Sequence, residues 1–306
     1  LNSGAAMSDM PSFSTRISPQ QQNALWQLVQ TIFQVDLTAW TRLHLNGVHL
    51  GYLNPHWRAH LRQDWPLPLL ETADSIDLQH ADKLALADAL QNMAQQWHRL
   101  GLLSGWRNEP FDVRNPAGQT LFALERAAFR PLGLASRAVH INGLVHTAAG
   151  WRFWIARRSP FKAVDPNKLD NLVGGGIASG ESVHTAMLRE GFEEAGLSEA
   201  VLTPLQSQSV QQSLRAVSRG LHREWLHIFD AVLPEDVLPQ NQDGEVAEFM
   251  QLTLEEVVAA MLDKRFMNDA LLAMLDMFER LNLLDAALPL AQWLRQGRGV
   301  DVLVSA

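Results

Sequence analysis

Three glutamates within five positions carry the strongest chemical signal in this chain. Residues 175–197 read GGIASGESVHTAMLREGFEEAGL, with Glu190, Glu193 and Glu194 following Arg189. On a helix, Glu190 and Glu194 are spaced i, i+4 and Glu190 and Glu193 i, i+3. All three then project to one side and repel one another unless a cation sits among them. Mg²⁺ takes oxygen ligands while keeping waters and substrate phosphate oxygens in its shell, which suits carboxylates beside an open cleft. Mn²⁺ accepts the same donors. A solvated acidic helix face is the alternative that such a turn also permits. Arg189 cannot share the face of its neighbour Glu190, so it is expected to fold back onto a carboxylate or the loop backbone. Ahead of the helix, Gly174, Gly175 and Gly176 let the backbone approach a helix or a phosphate closely.

These residues need a strand to deliver the loop and a helix to carry the carboxylates. Ser182 to Ala195 suits the helix. Near Arg137 the pattern switches to sheet: Val139 and Ile141 alternate with His140 and Asn142, and Trp151 to Ala156 reads as the returning strand after Gly150. Trp225 to Val232 suits a buried strand, and Leu254 to Leu262 and Asn268 to Leu281 suit helices. Upstream, Ser18 and Pro19 open a helix with apolar residues at Leu25, Leu28, Val29, Ile32 and Phe33. Asn46-Gly47 between Leu43/Leu45 and Val48/Leu50 marks a two-residue hairpin, and Asp82 to Leu100 is a further amphipathic helix stopped at Gly101.

The length of 306 residues favours two units, residues 7–136 mixing helices with a small sheet and residues 137–306 interleaving strands and helices. Their junction, near Leu134 to Arg137, is weakly punctuated; if it is an exposed linker, proteases should cut there. Residues 1–6 precede Met7 and are expected to be an appendage outside the fold. With 47% hydrophobic and 19% charged residues the chain should fold. A net charge of -8 argues against broad nucleic-acid binding. The lack of cysteine excludes disulfides, iron–sulfur clusters and zinc-thiolate sites, leaving a hard, oxygen-ligated ion as the default metal. No apolar run spans a membrane and no signal peptide is evident, so a cytoplasmic location is expected. Oligomeric state is left open.

The spacing of Gly175, Glu181, Arg189, Glu190, Glu193, Glu194, Gly196 and Leu197 resembles the Nudix box, eight specified positions over one loop and helix. The departure is Gly191, where that family has an aliphatic residue; this costs helix propensity of up to ~1 kcal/mol and a core contact, with Phe192 beside it as compensation. The resemblance implies an α+β protein whose Nudix unit is an α/β/α sandwich around a mixed sheet, preceded by a smaller α+β domain. It implies that Glu190, Glu193 and Glu194 ligate metal, that Glu190 polarises the attacking water, and that Glu181 ties the loop to the helix, with Gly175, Gly176 and Gly196 in support. The implied reaction is hydrolysis of a diphosphate linked to another moiety. In the segment from Asp243 to Glu248, Glu245 is the favoured further ligand or base, with loop solvation the equal alternative.

Two further segments extend the resemblance. Residues 154–171, WIARRSPFKAVDPNKLDN, and residues 42–55, RLHLNGVHLGYLNP, look like the Nudix subfamily with an extra N-terminal domain related to thiamin pyrophosphokinase sequences. That subfamily implies removal of a phosphate from thiamin diphosphate and, preferentially, from its oxidised forms. Arg157, Arg158, Lys162 and Lys168 precede the glycine loop and are candidates to neutralise a diphosphate, with a solvated surface role equally open to each. No histidine spacing suggests a metal site. Serine-hydrolase, kinase and dinucleotide motifs are missing. The competing functions are hydrolysis of a nucleoside diphosphate derivative such as ADP-ribose, and ligand binding without turnover.

Overall fold

A computed structural model describes residues 11–162 and 164–299; the expected appendage at residues 1–6 lies outside them. Helix α1 (Pro19–Phe33) starts with a reciprocal capping box in which the Ser18 and Gln21 side chains satisfy each other's backbone amides. Strands β1 (Thr41–Leu45) and β2 (Val48–Leu53) form the expected hairpin, with Asn46 and Gly47 at φ of 48° and 79°. Only residues tolerant of positive φ at both positions let a two-residue turn follow the strand twist. After α2 (Pro55–Asp64), β3 (Leu69–Glu71) and β4 (Ser75–Leu78) complete a four-stranded sheet in the order β2-β1-β4-β3. Helix α3 (Lys83–Arg99) covers it through one stripe, Leu86, Leu90, Met93 and Trp97. The Trp97 indole donates to Asp64 at 2.7 Å, so this large ring is buried without orphaning its N–H. A ribbon of β5 (Pro110–Arg114) and β6 (Thr120–Glu125) follows, then a 3₁₀ turn (Arg126–Ala128) and the short α4 (Phe129–Leu132).

The second sheet begins at β7 (Ser136–Thr147) and β8 (Gly150–Arg158), continues with β9 (Leu169–Asp170) and β10 (Val173–Gly176), and leads into α5 (Val183–Ala195) and α6 (Glu199–Leu202). Strands β11 (Ser207–Val217), β12 (Gly220–Leu233) and β13 (Val246–Leu252) precede α7 (Leu254–Leu262), α8 (Asn268–Arg280) and α9 (Pro289–Gly297). The order is β11-β12-β7-β8-β13, with β10 added to β7 and β9 to β8. Only the β7–β12 pairing among these is parallel, so the sheet is mixed, as expected. On one face Ala186, Met187 and Leu202 of α5 and α6 pack on Val139, Ile141 and Phe229. On the other lie α7, α8, α9 and α1, through Val258, Met274, Leu290 and Leu25. This is the expected three-layer arrangement.

Two features of the first 136 residues were not expected. Helix α1 contributes Leu25 and Val29 to the core of the second sheet, not to the core that runs from Leu43 to Leu134. Buried Gln22 fixes it there, donating to the Ile17 carbonyl while accepting from the Asp285 amide. The junction is not an exposed linker either: Leu134 is buried and Ser136 already belongs to β7. Gly133, at φ 59°, lies against Tyr52 so tightly that a Cβ would sit 2.2 Å from the Tyr52 carbonyl oxygen. Among the described residues no helix is long and apolar enough to cross a membrane.

Candidate active site

Strand β10 delivers the glycines beside the start of β7, with Gly175 opposite Val139 and Gly176 opposite Ala138. The parallel partner β12 brings Glu224 opposite Ser136 at the same end. Helix α5 then begins at Ser182, whose side chain accepts from the Thr185 amide, and ends at Gly196 in the left-handed region at φ 62°. Gly175 is required by close approach: a Cβ there would lie 2.0 Å from the Glu190 carboxyl carbon. Gly191 is explained by Leu202, whose methyls would lie 2.8 Å from a Cβ at that position. Leu202 of α6 thus fills the place of the missing aliphatic side chain. The expected compensation by Phe192 does not occur, since Phe192 faces outward and is 58% exposed.

Arg189 folds back across the loop. Its guanidinium donates to both Glu181 oxygens at 2.7 and 2.8 Å, to Glu190 at 2.7 Å, to Glu193 at 3.2 Å and to the Gly176 carbonyl at 3.2 Å. Glu181 also accepts from the Ala178 amide, and its hydrogen bonds to Arg189 hold its carboxyl below the usual range. Arg189 in turn is raised, first by those bonds to Glu181. Glu194 turns the other way, accepting from the Gly174 amide at 2.9 Å, with Lys162 Nζ at 3.7 Å. Burial pushes its carboxyl up to about 8 against the pull of Lys162. Burial also raises Glu190, opposed by Arg189, and lowers Lys162, opposed by Glu194. Lys162 pairs with Glu245, which Arg107 approaches to 3.6 Å.

Glu190, Glu193, Glu194, Glu245 and Lys162 line one cleft of about 310 Å³ with Gly174, Gly175 and Gly176. The glutamates of α5 do not simply share one side, because Arg189 draws Glu190 and Glu193 while Glu194 is buried toward β10. Of the basic candidates, Arg158 lines the cleft but is tied to Asp170 at 2.7 Å. Arg157 pairs with Glu248 at 2.6 Å, and Lys168 donates to the Lys264 carbonyl at 3.1 Å; neither lines the cleft. Sequence reading missed Arg107, Glu109, Phe111, Arg126 and Arg130, which come from the N-terminal segment to line the same space, and also His140. No local spacing marks them.

Among the described residues, the three potential ligands gathered within 4.8 Å are His222, Glu224 and Asp269. Asp269, however, accepts from Ser213 and from Arg215 at 2.6 Å, so its charge already has a partner. The glutamate cleft, for its part, offers carboxylate oxygens, the donors that a hard divalent ion takes.

Residues 137–272 match the NUDIX domain family. The chain is 34% identical over 171 residues to Nudix hydrolase 24, chloroplastic, of Arabidopsis thaliana, which covers 56% of this chain and 47% of that relative. It spans about half the length of this and of a second chloroplastic relative, Nudix hydrolase 20 of the same plant. It is 31% identical over 138 residues to an uncharacterized Nudix hydrolase of Pseudomonas aeruginosa, covering 44% of this chain and 76% of that one. A crystal structure from Deinococcus radiodurans aligns at 23% identity and a TM-score of 0.41, over 56% of this chain and 98% of the other. With residues 137–272 matching the NUDIX domain family and the Pseudomonas relative matched over three quarters of its length, the chain belongs to the Nudix family.

Proposed function

We propose that the chain hydrolyses the diphosphate linkage of a small-molecule substrate, using Mg²⁺ or Mn²⁺ held by Glu190, Glu193 and Glu194, with Glu245 joining from the segment before β13. The observation that carries this reading is the seating of the Glu190 carboxylate against Gly175 while Arg189 braces it. Such a seating holds a carboxylate oxygen beside the glycine loop, which supports a ligand role for Glu190. When bound, the ion neutralises phosphate oxygens and lowers the proton affinity of a coordinated water. Arg189 is a positioning residue that orients Glu190 and Glu193. Glu190, its proton affinity raised by burial, is the candidate to take the proton from the attacking water. Lys162 and Arg107 hold Glu245 in the same cleft, where Lys162 also approaches Glu194.

The finer reading is that thiamin diphosphate, and preferentially its oxidised forms, is converted to the monophosphate. The resemblance of residues 42–55 and 154–171 supports it. Phosphate release over a panel of diphosphates with and without Mg²⁺ tests the hydrolase reading. Comparing kcat/KM for thiamin diphosphate, its oxidised forms and ADP-ribose tests the substrate. A wide margin for ADP-ribose overturns the thiamin reading and leaves the diphosphatase reading standing.

A further inference from the structure

Beside the glutamate cleft lies a second cavity of about 630 Å³, bounded by the 104–107 segment, the turn from Arg126 to Arg130 and the β11–β12 turn at Arg219. The two cavities share Arg107, Phe111, Arg126, Arg130, Val164 and Glu224 in their walls, so they lie directly side by side. In the second cavity five arginines stand against two carboxylates, Asp165 and Glu224. Arg126 donates to Glu109 at 2.5 Å, and among the described residues the Arg219 guanidinium reaches only the Ser104 carbonyl at 3.4 Å. The Arg130 guanidinium makes no hydrogen bond among the described residues, although burial lowers its pKa against the pull of Glu224 and Asp269. Those two carboxylates are already engaged, Glu224 by the Ser136 hydroxyl at 2.7 Å and Asp269 by Arg215. Burial lowers Arg219 as well, and the charges of Arg130 and Arg126 add to the effect.

A guanidinium has five donors in a planar fork, and burying it without acceptors is costly. The fold nevertheless holds Arg130 firmly. Gly220, at φ 134°, lets the Arg130 carbonyl sit where a Cβ would be 2.1 Å away, and this pins α4 to the start of β12. Three guanidinium groups line one cavity, one of them without a hydrogen-bond acceptor among the described residues, and their donors are of the kind that takes phosphate oxygens.

We propose that Arg130, with Arg126 and Arg219, forms an anion subsite that takes one phosphoryl group of the diphosphate while the glutamate cleft holds the other. The N-terminal segment thereby completes the site, and the basic residues nearer the glycine loop, Arg157 and Arg158, serve ion pairs instead. The proposal rests on the diphosphatase reading for its substrate, but the anion binding itself does not need the metal.

The test is calorimetric titration of the full chain with inorganic pyrophosphate in excess EDTA. Saturable binding is expected, weakened at least tenfold by Arg130→Gln and by Arg219→Gln, and unchanged by Arg99→Gln on the exposed side of α3. Arg219→Gln lies on a turn and leaves the α4 packing intact, so it covers the case in which Arg130→Gln does not fold. In kinetics at saturating Mg²⁺, Arg219→Gln should raise KM more than it lowers kcat. Pyrophosphate binding that depends on these arginines supports the subsite even if no diphosphate is turned over, an outcome that would sink only the diphosphatase reading. Wild-type protein that does not bind pyrophosphate without metal, or variants that bind it as tightly as wild type, would overturn the subsite.

Discussion

The carboxylate of Glu190 occupies the space that a side chain at Gly175 would need, so that a Cβ there would lie 2.0 to 2.3 Å from its carboxyl atoms. The glycine loop and the glutamate helix are therefore fitted to each other before any ligand arrives. Gly175→Ala must push Glu190 aside. Overpacking of this kind costs about 1–3 kcal/mol in stability, and displacing a reactive group by 1 Å costs on the order of 10²-fold in rate. Urea unfolding and kcat/KM measured on one preparation check both effects; a variant with wild-type turnover would show that the Glu190 position is unimportant.

Arg189 binds Glu181, Glu190 and Glu193 at once. Arg189→Gln should lower metal affinity or turnover by about 10–100-fold, the usual cost of losing a group that orients a ligand. Arg189→Lys should recover little, because a point charge cannot replace the fork. Metal titration followed by calorimetry separates a lost ligand geometry from general unfolding.

Asp269 is buried between Arg215, Ser213 and His222. Burial alone would raise its carboxyl, but Arg215 and His222 hold it well below the usual value. A depressed folded pKa means that its stabilisation is present above the unfolded value of about 3.9 and is lost as pH falls through the folded one. Wild-type stability should drop on acidification below about pH 4, and Asp269→Asn should flatten that part of the profile. At pH 7 the same variant should lose about 3–5 kcal/mol, since Arg215 stays buried without its partner. Urea unfolding from pH 3 to 7 measures both.

The junction at Leu134 is buried, with Gly133 packed against Tyr52. Limited proteolysis of the native chain should leave the bonds from Leu134 to Arg137 intact until global unfolding. Early cleavage there, read by mass spectrometry, would contradict this packing.

Much of the glutamate helix was legible because its chemistry depends on spacing along one element: the helix from Ser182 to Ala195 and the folding back of Arg189 both follow from residues close in sequence. The hairpin at Asn46-Gly47 was legible for the same local reason. What failed to show was which surfaces meet. The stripe on α1 announces burial but not whether its partner is the nearby sheet or the one that begins at Ser136. Arg126 and Arg130 carry no motif, and they reach the cleft only because α4 docks on β12 through Gly220. Gly191 read as a lost core contact, whereas Leu202 had taken up the space from a separate helix.

The central claim is that the α5 glutamates hold the ion that drives diphosphate hydrolysis. The most direct measurement is steady-state phosphate release from oxidised thiamin diphosphate and from ADP-ribose over a Mg²⁺ titration, for wild type, Glu190→Gln and Glu194→Gln. The account predicts no turnover without a divalent ion and a loss of at least 10²-fold in kcat/KM for either variant, because each removes ligand charge at nearly constant size. Either variant turning over at the wild-type rate at saturating Mg²⁺ would contradict it.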